Sequence, residues 1–173
     1  MSLQKILLIG TLGAGKTTIS DVLSERLSLP YYSLDNFRLE NIDNSYSGEY
    51  FAQYRFIEKC NNKESLILEF SGSGIHAENI YNALLQSGAE ISVFWIDTPI
   101  SVCNKRAKLR KNAVPAPYQW GDIEESIISI YSNIELRWDF LRRHFYDFYF
   151  SRIMPAENEN PDYVAKKITD LLL

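Results

Sequence analysis

The 173-residue chain is 46% apolar and sets 18 Lys and Arg against 22 Asp and Glu. That length and apolar content suit one domain with a real core and exclude a disordered chain. The net charge of −4 lacks the basic excess of a duplex-binding protein. Cys60 and Cys103 have no metal-type spacing and read as reduced thiols, and no apolar run approaches the roughly 18 residues of a membrane span. The expectation is a single cytoplasmic domain over residues 1–173, with neither a membrane nor duplex nucleic acid as partner.

Short apolar runs alternate with longer stretches at helical spacing, the pattern of a layered α/β domain. Leu3 to Ile9 predicts a buried strand, followed by a Gly-rich turn and a helix whose inner face is Ile19, Val22, Leu23 and Leu27, stopped by Pro30. A second strand spans Tyr31 to Leu34 and ends at Asp35; Asn41 to Gly48 is polar and loop-like; Tyr50, Phe51, Tyr54 and Ile57 mark a helix. Leu66 to Phe70 is the third strand, running through Ser71, Gly72, Ser73 and Gly74 into a helix that ends before Gly88. Ile91 to Ile96 is the fourth strand, with Thr98 and Pro99 as cap and first turn of the next helix. A proline-bearing loop from Asn112 to Gly121 precedes a long helix from Asp122 to His144 with Ile123, Ile127, Ile130, Ile134, Trp138 and Leu141 on one face. Phe145 to Phe150 is the fifth strand, and Asn160 and Pro161 cap a last helix. Strands joined by helical crossovers imply a three-layer, doubly wound, mostly parallel five-stranded sheet with ligands at the carboxyl ends of its strands.

The sharpest motif is Gly10-Thr11-Leu12-Gly13-Ala14-Gly15-Lys16-Thr17, which matches G-x-x-x-x-G-K-[ST] between a strand and a helix. The glycines let consecutive backbone N–H groups face a phosphate, and the helix adds the positive end of its dipole. Lys16 supplies a mobile cation for the β and γ phosphates, and Thr17 a hydroxyl ligand for Mg²⁺.

The loop GTLGAGKTT, which extends the motif to Thr18, and the segments YYSLDNFR, LILEFSGSG and VFWIDTPISVCNKRAKLR together resemble the small P-loop kinases: shikimate kinase, gluconate kinase, adenylate kinase and the kinase domain of polynucleotide kinase. The resemblance follows the whole chain in order, and the phosphate loop is its specific part. It implies strand order 2-3-1-4-5, a lid over residues 106–121, and Mg²⁺-dependent transfer of the ATP γ-phosphoryl group to a hydroxyl of a small metabolite.

Asp35, past the second strand, stands where phosphoryl transfer to an alcohol needs a group that orients the hydroxyl and takes its proton. It reads as that base, as a ligand of a Mg²⁺-bound water, or as a helix cap. Arg38, three residues on, makes a D-x-x-R pair that resembles the one with which polynucleotide kinases hold an anionic acceptor group. Glu69 ends an apolar strand and resembles a Walker B acid holding metal through water, with a structural hydrogen-bonding role as the alternative. Ser71 to Gly74, with Gly72 and Gly74, resembles in place the Gly-rich substrate loop of shikimate kinase, although here serines alternate with the glycines. The same segment also fits the dinucleotide pattern G-x-G-x-x-A, with Asp97 as the ribose acid.

Between Thr98 and Gly121 there is no acid, while Lys105, Arg106, Lys108, Arg110 and Lys111 cluster. Arg106 shares the inward stripe of its helix, and the resemblance assigns Arg106 and Arg110 to the transferring phosphate and the adenine, tasks that suit a planar, always-charged fork. The same resemblance brings the loop from Arg152 to Asn158 to the adenine. The leading expectation is thus an ATP-dependent small-molecule kinase. A nucleoside, nucleotide or 5′-hydroxyl polynucleotide kinase is one alternative, and an ATPase or nucleotide-dependent regulator without an acceptor is the other. A GTPase is disfavoured: no Asp has Gly three places on, and Asn104-Lys105-Arg106-Ala107 lacks the Asp of N-K-x-D.

Overall fold

The computed structural model describes residues 2–40, 46–109 and 122–172, with the backbone alone at Tyr46. In chain order the elements are β1 (Gln4–Ile9), α1 (Lys16–Leu27), β2 (Tyr31–Ser33), α2 (Leu34–Glu40), α3 (Tyr46–Asn61), β3 (Leu66–Glu69), α4 (Ala77–Ser87), β4 (Glu90–Ile96), α5 (Ile100–Leu109), α6 (Ile123–His144), β5 (Tyr149–Ile153) and α7 (Pro161–Leu171). The five strands form one sheet in the order β2-β3-β1-β4-β5, and every pairing is parallel. Among the described residues no helix is long and apolar enough to cross a membrane.

Side-chain alternation along β1 builds the three layers. Leu7 and Ile9 point to a face covered by Ala52 and Phe56 of α3, Ile80 and Leu84 of α4, and Ile134, Trp138 and Leu141 of α6. Ile6 and Leu8 point to the other face, under Ile19 and Leu23 of α1, Cys103 and Ala107 of α5, and Val164, Ala165 and Ile168 of α7. Because both faces are covered, β1 runs apolar without interruption from Ile6 to Ile9, as buried parallel strands do. Phe56 is fully buried, and truncating such a ring to Ala costs about 3–5 kcal/mol.

The ends of the helices follow local chemistry. Asp122 and Asn160 cap α6 and α7 by accepting from the amides of Glu124 and Asp162, and Gly88 closes α4 in the left-handed region at φ 67°.

Four local expectations need correction. The predicted loop over 41–48 gives way to helix from Tyr46 onward; residues 41–45 lie outside the described residues. The residues that mark α3 are mostly not the ones it buries: Tyr50, Phe51 and Tyr54 are exposed, while Ala52, Phe56 and Cys60 are buried. Thr98 does not stand at the cap position of α5, which starts at Ile100: Pro99 is the residue before that helix, and the Pro99 carbonyl accepts from the Val102 and Cys103 amides. The fifth strand lies at Tyr149–Ile153 rather than Phe145–Phe150, since the amides of Phe145 and Phe148 bond back to Leu141 and Phe145 in turns that bury both rings.

Candidate active site

The phosphate loop leaves β1 and enters α1 through Gly15 at φ 95°. Its shape is fixed from outside as well as by its own glycines. Gly13 sits at φ 78° so close to α5 that a Cβ there would stand 2.5 Å from the Cys103 carbonyl oxygen, so only glycine fits. Thr11 is buried and donates its hydroxyl to the Ile127 carbonyl of α6 at 2.8 Å. Thr98, past the end of β4, donates to the Ala14 carbonyl at 2.8 Å, and the Gly10 amide donates to the Ser71 carbonyl at 3.2 Å. The loop is therefore anchored to three neighbouring segments before any ligand arrives, which is the preorganisation that a charge-binding cradle requires.

Lys16 is buried, and its ammonium donates to the Gly10 and Thr11 carbonyls at 2.9 and 3.2 Å, with the Glu69 carboxylate 3.9 Å away. It lies folded over the loop it serves. The Thr17 hydroxyl donates to Glu69 Oε1 at 3.2 Å, and the Tyr31 hydroxyl donates to the other carboxylate oxygen. Burial and the Glu69 charge push the Tyr31 phenol well above its ordinary range. Glu69 is thus the meeting point of β1–α1, β2 and β3, and Ser33 of β2 is its partner in sheet register. Thr18 and Leu12 lie on the exposed side of the loop, and Ala14 is buried.

Asp35 stands two residues beyond Ser33, in the first turn of α2 rather than at the end of a strand. Ser33 Oγ accepts from the Asn36 amide at 3.0 Å and so serves the start of that helix, while the Asp35 carboxylate accepts from Arg38 at 2.8 Å. Arg38 also donates twice to Glu49 of α3, through Nε at 2.8 Å and through its second terminal nitrogen at 2.6 Å. Gln53, one turn further along α3, donates to Glu49 at 2.8 Å. Burial works against charge on both members of this ion pair. The hydrogen bonds and opposite charges outweigh it, holding the Glu49 carboxyl below its usual range and the Arg38 guanidinium above.

Arg106 reaches the Gly13 carbonyl and, from the far side, the Glu157 carbonyl, both at 3.4 Å. It therefore bridges the phosphate loop and the segment after β5. Arg110 and most of the predicted lid lie outside the described residues. Gly72 and Gly74 adopt φ 84° and 109°. A Cβ on Gly72 would come within 2.8 Å of the Ile9 Cβ, whereas one on Gly74 would meet open space. Gly72 is thus a packing glycine. Asp97 accepts from Arg152 Nε at 2.6 Å, and Arg152 lies 4.2 Å over the Trp95 ring, so the acid of the dinucleotide pattern is held by an arginine.

Sequence reasoning missed Tyr31, Thr98, Glu49 and Gln53. Thr98 carried a signal, being a polar side chain just past the carboxyl end of a predicted strand; Tyr31 opens its strand, and Glu49 lay between a predicted loop and a predicted helix without any partner in view.

The chain is similar to known proteins in sequence and in fold. Residues 12–173 match the sequence model of the family described as shikimate kinase. A shikimate kinase from Flavobacterium psychrophilum is 28% identical over 98% of this chain and 99% of its own length. In structure, shikimate kinase from Acinetobacter baumannii in complex with shikimate superposes with a TM-score of 0.68 at 22% identity, covering 98% of this chain and 93% of that one. Deoxyadenosine kinase from M. mycoides with bound dATP gives 0.62 at 17% identity, covering 97% and 98%.

Proposed function

The chain belongs to the shikimate kinase family, a group of small P-loop kinases and ATP-dependent phosphotransferases, and from that premise we propose how its own residues move a phosphoryl group to a hydroxyl of a small metabolite. What carries the reading is the preset loop Gly10 to Thr17 with Lys16 and Thr17 beside Glu69 at the carboxyl ends of the strands.

Lys16 leaves the Gly10 and Thr11 carbonyls and turns to the β and γ phosphates, which offer it stronger, charge-assisted acceptors than neutral carbonyls. The amides of Gly13, Ala14, Gly15, Lys16, Thr17 and Thr18 and the start of α1 line the phosphates. Arg106, standing at the Gly13 carbonyl, balances the charge that spreads over the transferring group. Asp35 orients the acceptor hydroxyl and accepts its proton, with Arg38 fixing the direction of the carboxylate. Thr17, with Glu69 and Asp35 acting through water, offers the hard oxygen donors that Mg²⁺ selects. When bound, the ion neutralises phosphate charge and leaves the protein to position the reactants. Arg110 belongs to the same site, on the adenine side, and Gly74 lies open toward the acceptor.

The test is ADP release by the purified protein with and without a panel of sugars, polyols, hydroxy acids and nucleosides, titrated with Mg²⁺. Acceptor-dependent release that Lys16→Ala abolishes, with the melting curve retained, supports the reading. Release that no acceptor stimulates, or full turnover by Lys16→Ala, overturns it.

A further inference from the structure

We propose that Tyr31 is a positioning residue for the divalent ion: its hydroxyl fixes the Glu69 carboxylate in the orientation that serves a nucleotide-borne cation, and so sets how tightly that ion is kept. The proposal rests on the kinase reading above and adds to it a residue that acts through Glu69.

Tyr31 opens β2, two residues short of the site. Ser33 is the register partner of Glu69, and Tyr31 that of Ile67. Side chains two apart on a strand share a face, and the Tyr31 ring packs on the α1 side of the sheet, beside Ile67 and Ile19. Its hydroxyl covers the roughly 6.6 Å between the two register positions and donates to Glu69 Oε2. A phenol has the length and stiffness for that reach and carries its donor at the tip. Tyr32 packs on the opposite face of the sheet.

The bond matters because the other partners of Glu69 are the ones a nucleotide claims. Glu69 is 4% exposed, accepts from the Thr17 hydroxyl at 3.2 Å and has the Lys16 ammonium 3.9 Å away. In the proposed reaction Lys16 turns to the phosphates and Thr17 offers its oxygen to the ion. Tyr31 is then the donor that stays on the carboxylate. A buried carboxylate released from that donor would turn toward the nearest cation, Lys16, and pair with it. Held at Oε2, Glu69 keeps Oε1 toward Thr17.

The donor set fits Mg²⁺ that arrives with its nucleotide. Among the described residues no group of three or more His, Cys, Asp or Glu side chains could hold a metal ion, so phosphate oxygens must complete the site. Mg²⁺ suits such a shared site, since it keeps several waters and takes one or two carboxylates together with substrate phosphates. Residues that orient the groups around a metal typically change its affinity about 10–100-fold when removed.

The experiment titrates Mn²⁺ into the whole protein holding a non-hydrolysable ATP analogue, with protein in excess over nucleotide, and reads free Mn²⁺ by its paramagnetic resonance signal. Tyr31→Phe is expected to raise the Mn²⁺ dissociation constant at least about tenfold, while the metal-free affinity for the analogue stays as in the parent. Tyr32→Phe should change neither. In turnover, the Mg²⁺ concentration for half-maximal rate should rise in Tyr31→Phe with kcat kept at saturating Mg²⁺. Glu69→Gln should weaken Mn²⁺ binding as well, and adding Tyr31→Phe to it should weaken it no further, because Tyr31 acts through that carboxylate. An unchanged Mn²⁺ constant in folded Tyr31→Phe, or an equal loss of metal-free nucleotide affinity, overturns the proposal and leaves the kinase reading standing. A parent complex that holds Mn²⁺ no more tightly than the analogue alone in solution overturns the metal role of Thr17 and Glu69, and this proposal with it. Tyr31→Leu, which also lacks the hydroxyl, carries the same expectation should Tyr31→Phe not fold.

Discussion

Thr98 donates its hydroxyl to the carbonyl of Ala14 at 2.8 Å, joining the end of β4 to the middle of the phosphate loop. Both groups are buried, so Thr98→Val keeps the shape and leaves the Ala14 carbonyl without its donor. We expect a loss of about 1–3 kcal/mol in stability by denaturant titration, together with a raised KM for ATP. Thr98→Ser should restore both, and a valine variant equal to the parent in both would show that the bond holds nothing in place.

Asp35 is over a third exposed and its pair with Arg38 is local in sequence, so Asp35→Asn should change stability by less than about 1 kcal/mol. Its effect on rate is different in kind. If the carboxylate takes the acceptor proton, kcat falls by at least roughly a hundredfold, measured by ADP release at saturating acceptor. A rate within a few-fold of the parent would leave Asp35 a partner of Arg38 and no more.

Tyr31 and Thr17 donate to the two oxygens of a buried carboxylate. Tyr31→Phe removes one donor and preserves the ring, and we expect it to cost about 1–3 kcal/mol. Tyr32→Phe, beside it in the strand but with no bond to Glu69, is the control. Equal melting curves for the two variants would mean that water replaces the Tyr31 hydroxyl at no cost.

Lys5 is fully buried and donates to the Lys59 and Cys60 carbonyls and to Asn62 Oδ1 at the end of α3. Burial lowers its pKa to about 8 from the ordinary 10.5. The unfolded chain therefore binds more protons than the folded one from about pH 8 upward, and this group makes stability rise with pH there, by at most about 1 kcal/mol per unit. Cys60 acts in the opposite sense: burial pushes its thiol up to about 12 from 9.0, so its contribution is present below pH 9 and lost above. The rise should thus show between pH 8 and 9 in denaturant titrations and be missing in Lys5→Met.

What could be read from the sequence divides along physical lines. β1, the phosphate loop and the capped α6 and α7 are local: an apolar run, a spaced motif, and Asp122 or Asn160 before a helical period. The inner face of α3 was not legible because three of its aromatic side chains, Tyr50, Phe51 and Tyr54, are exposed while Phe56 is buried. Periodicity ranks residues by hydrophobicity, whereas packing at the sheet selected the small Ala52 and the polar Gln53, the latter beside Glu49. The fifth strand was displaced because its true span includes Arg152, a charge that Asp97 satisfies from just past the end of the neighbouring strand. The Arg38–Glu49 pair joins two helices across a segment without periodic signal, and no local pattern announces such a partner.

Thr11 lies among the first dozen residues, and its hydroxyl is bonded to the Ile127 carbonyl, 116 positions later. During synthesis the motif from Gly10 to Thr17 leaves the ribosome early, yet the wall that shapes it arrives only with Thr98, Cys103 and finally Ile127. A nascent chain holding the full motif still lacks the cradle. Nucleotide capture by this protein is therefore expected only once the chain has been made at least as far as Ile127.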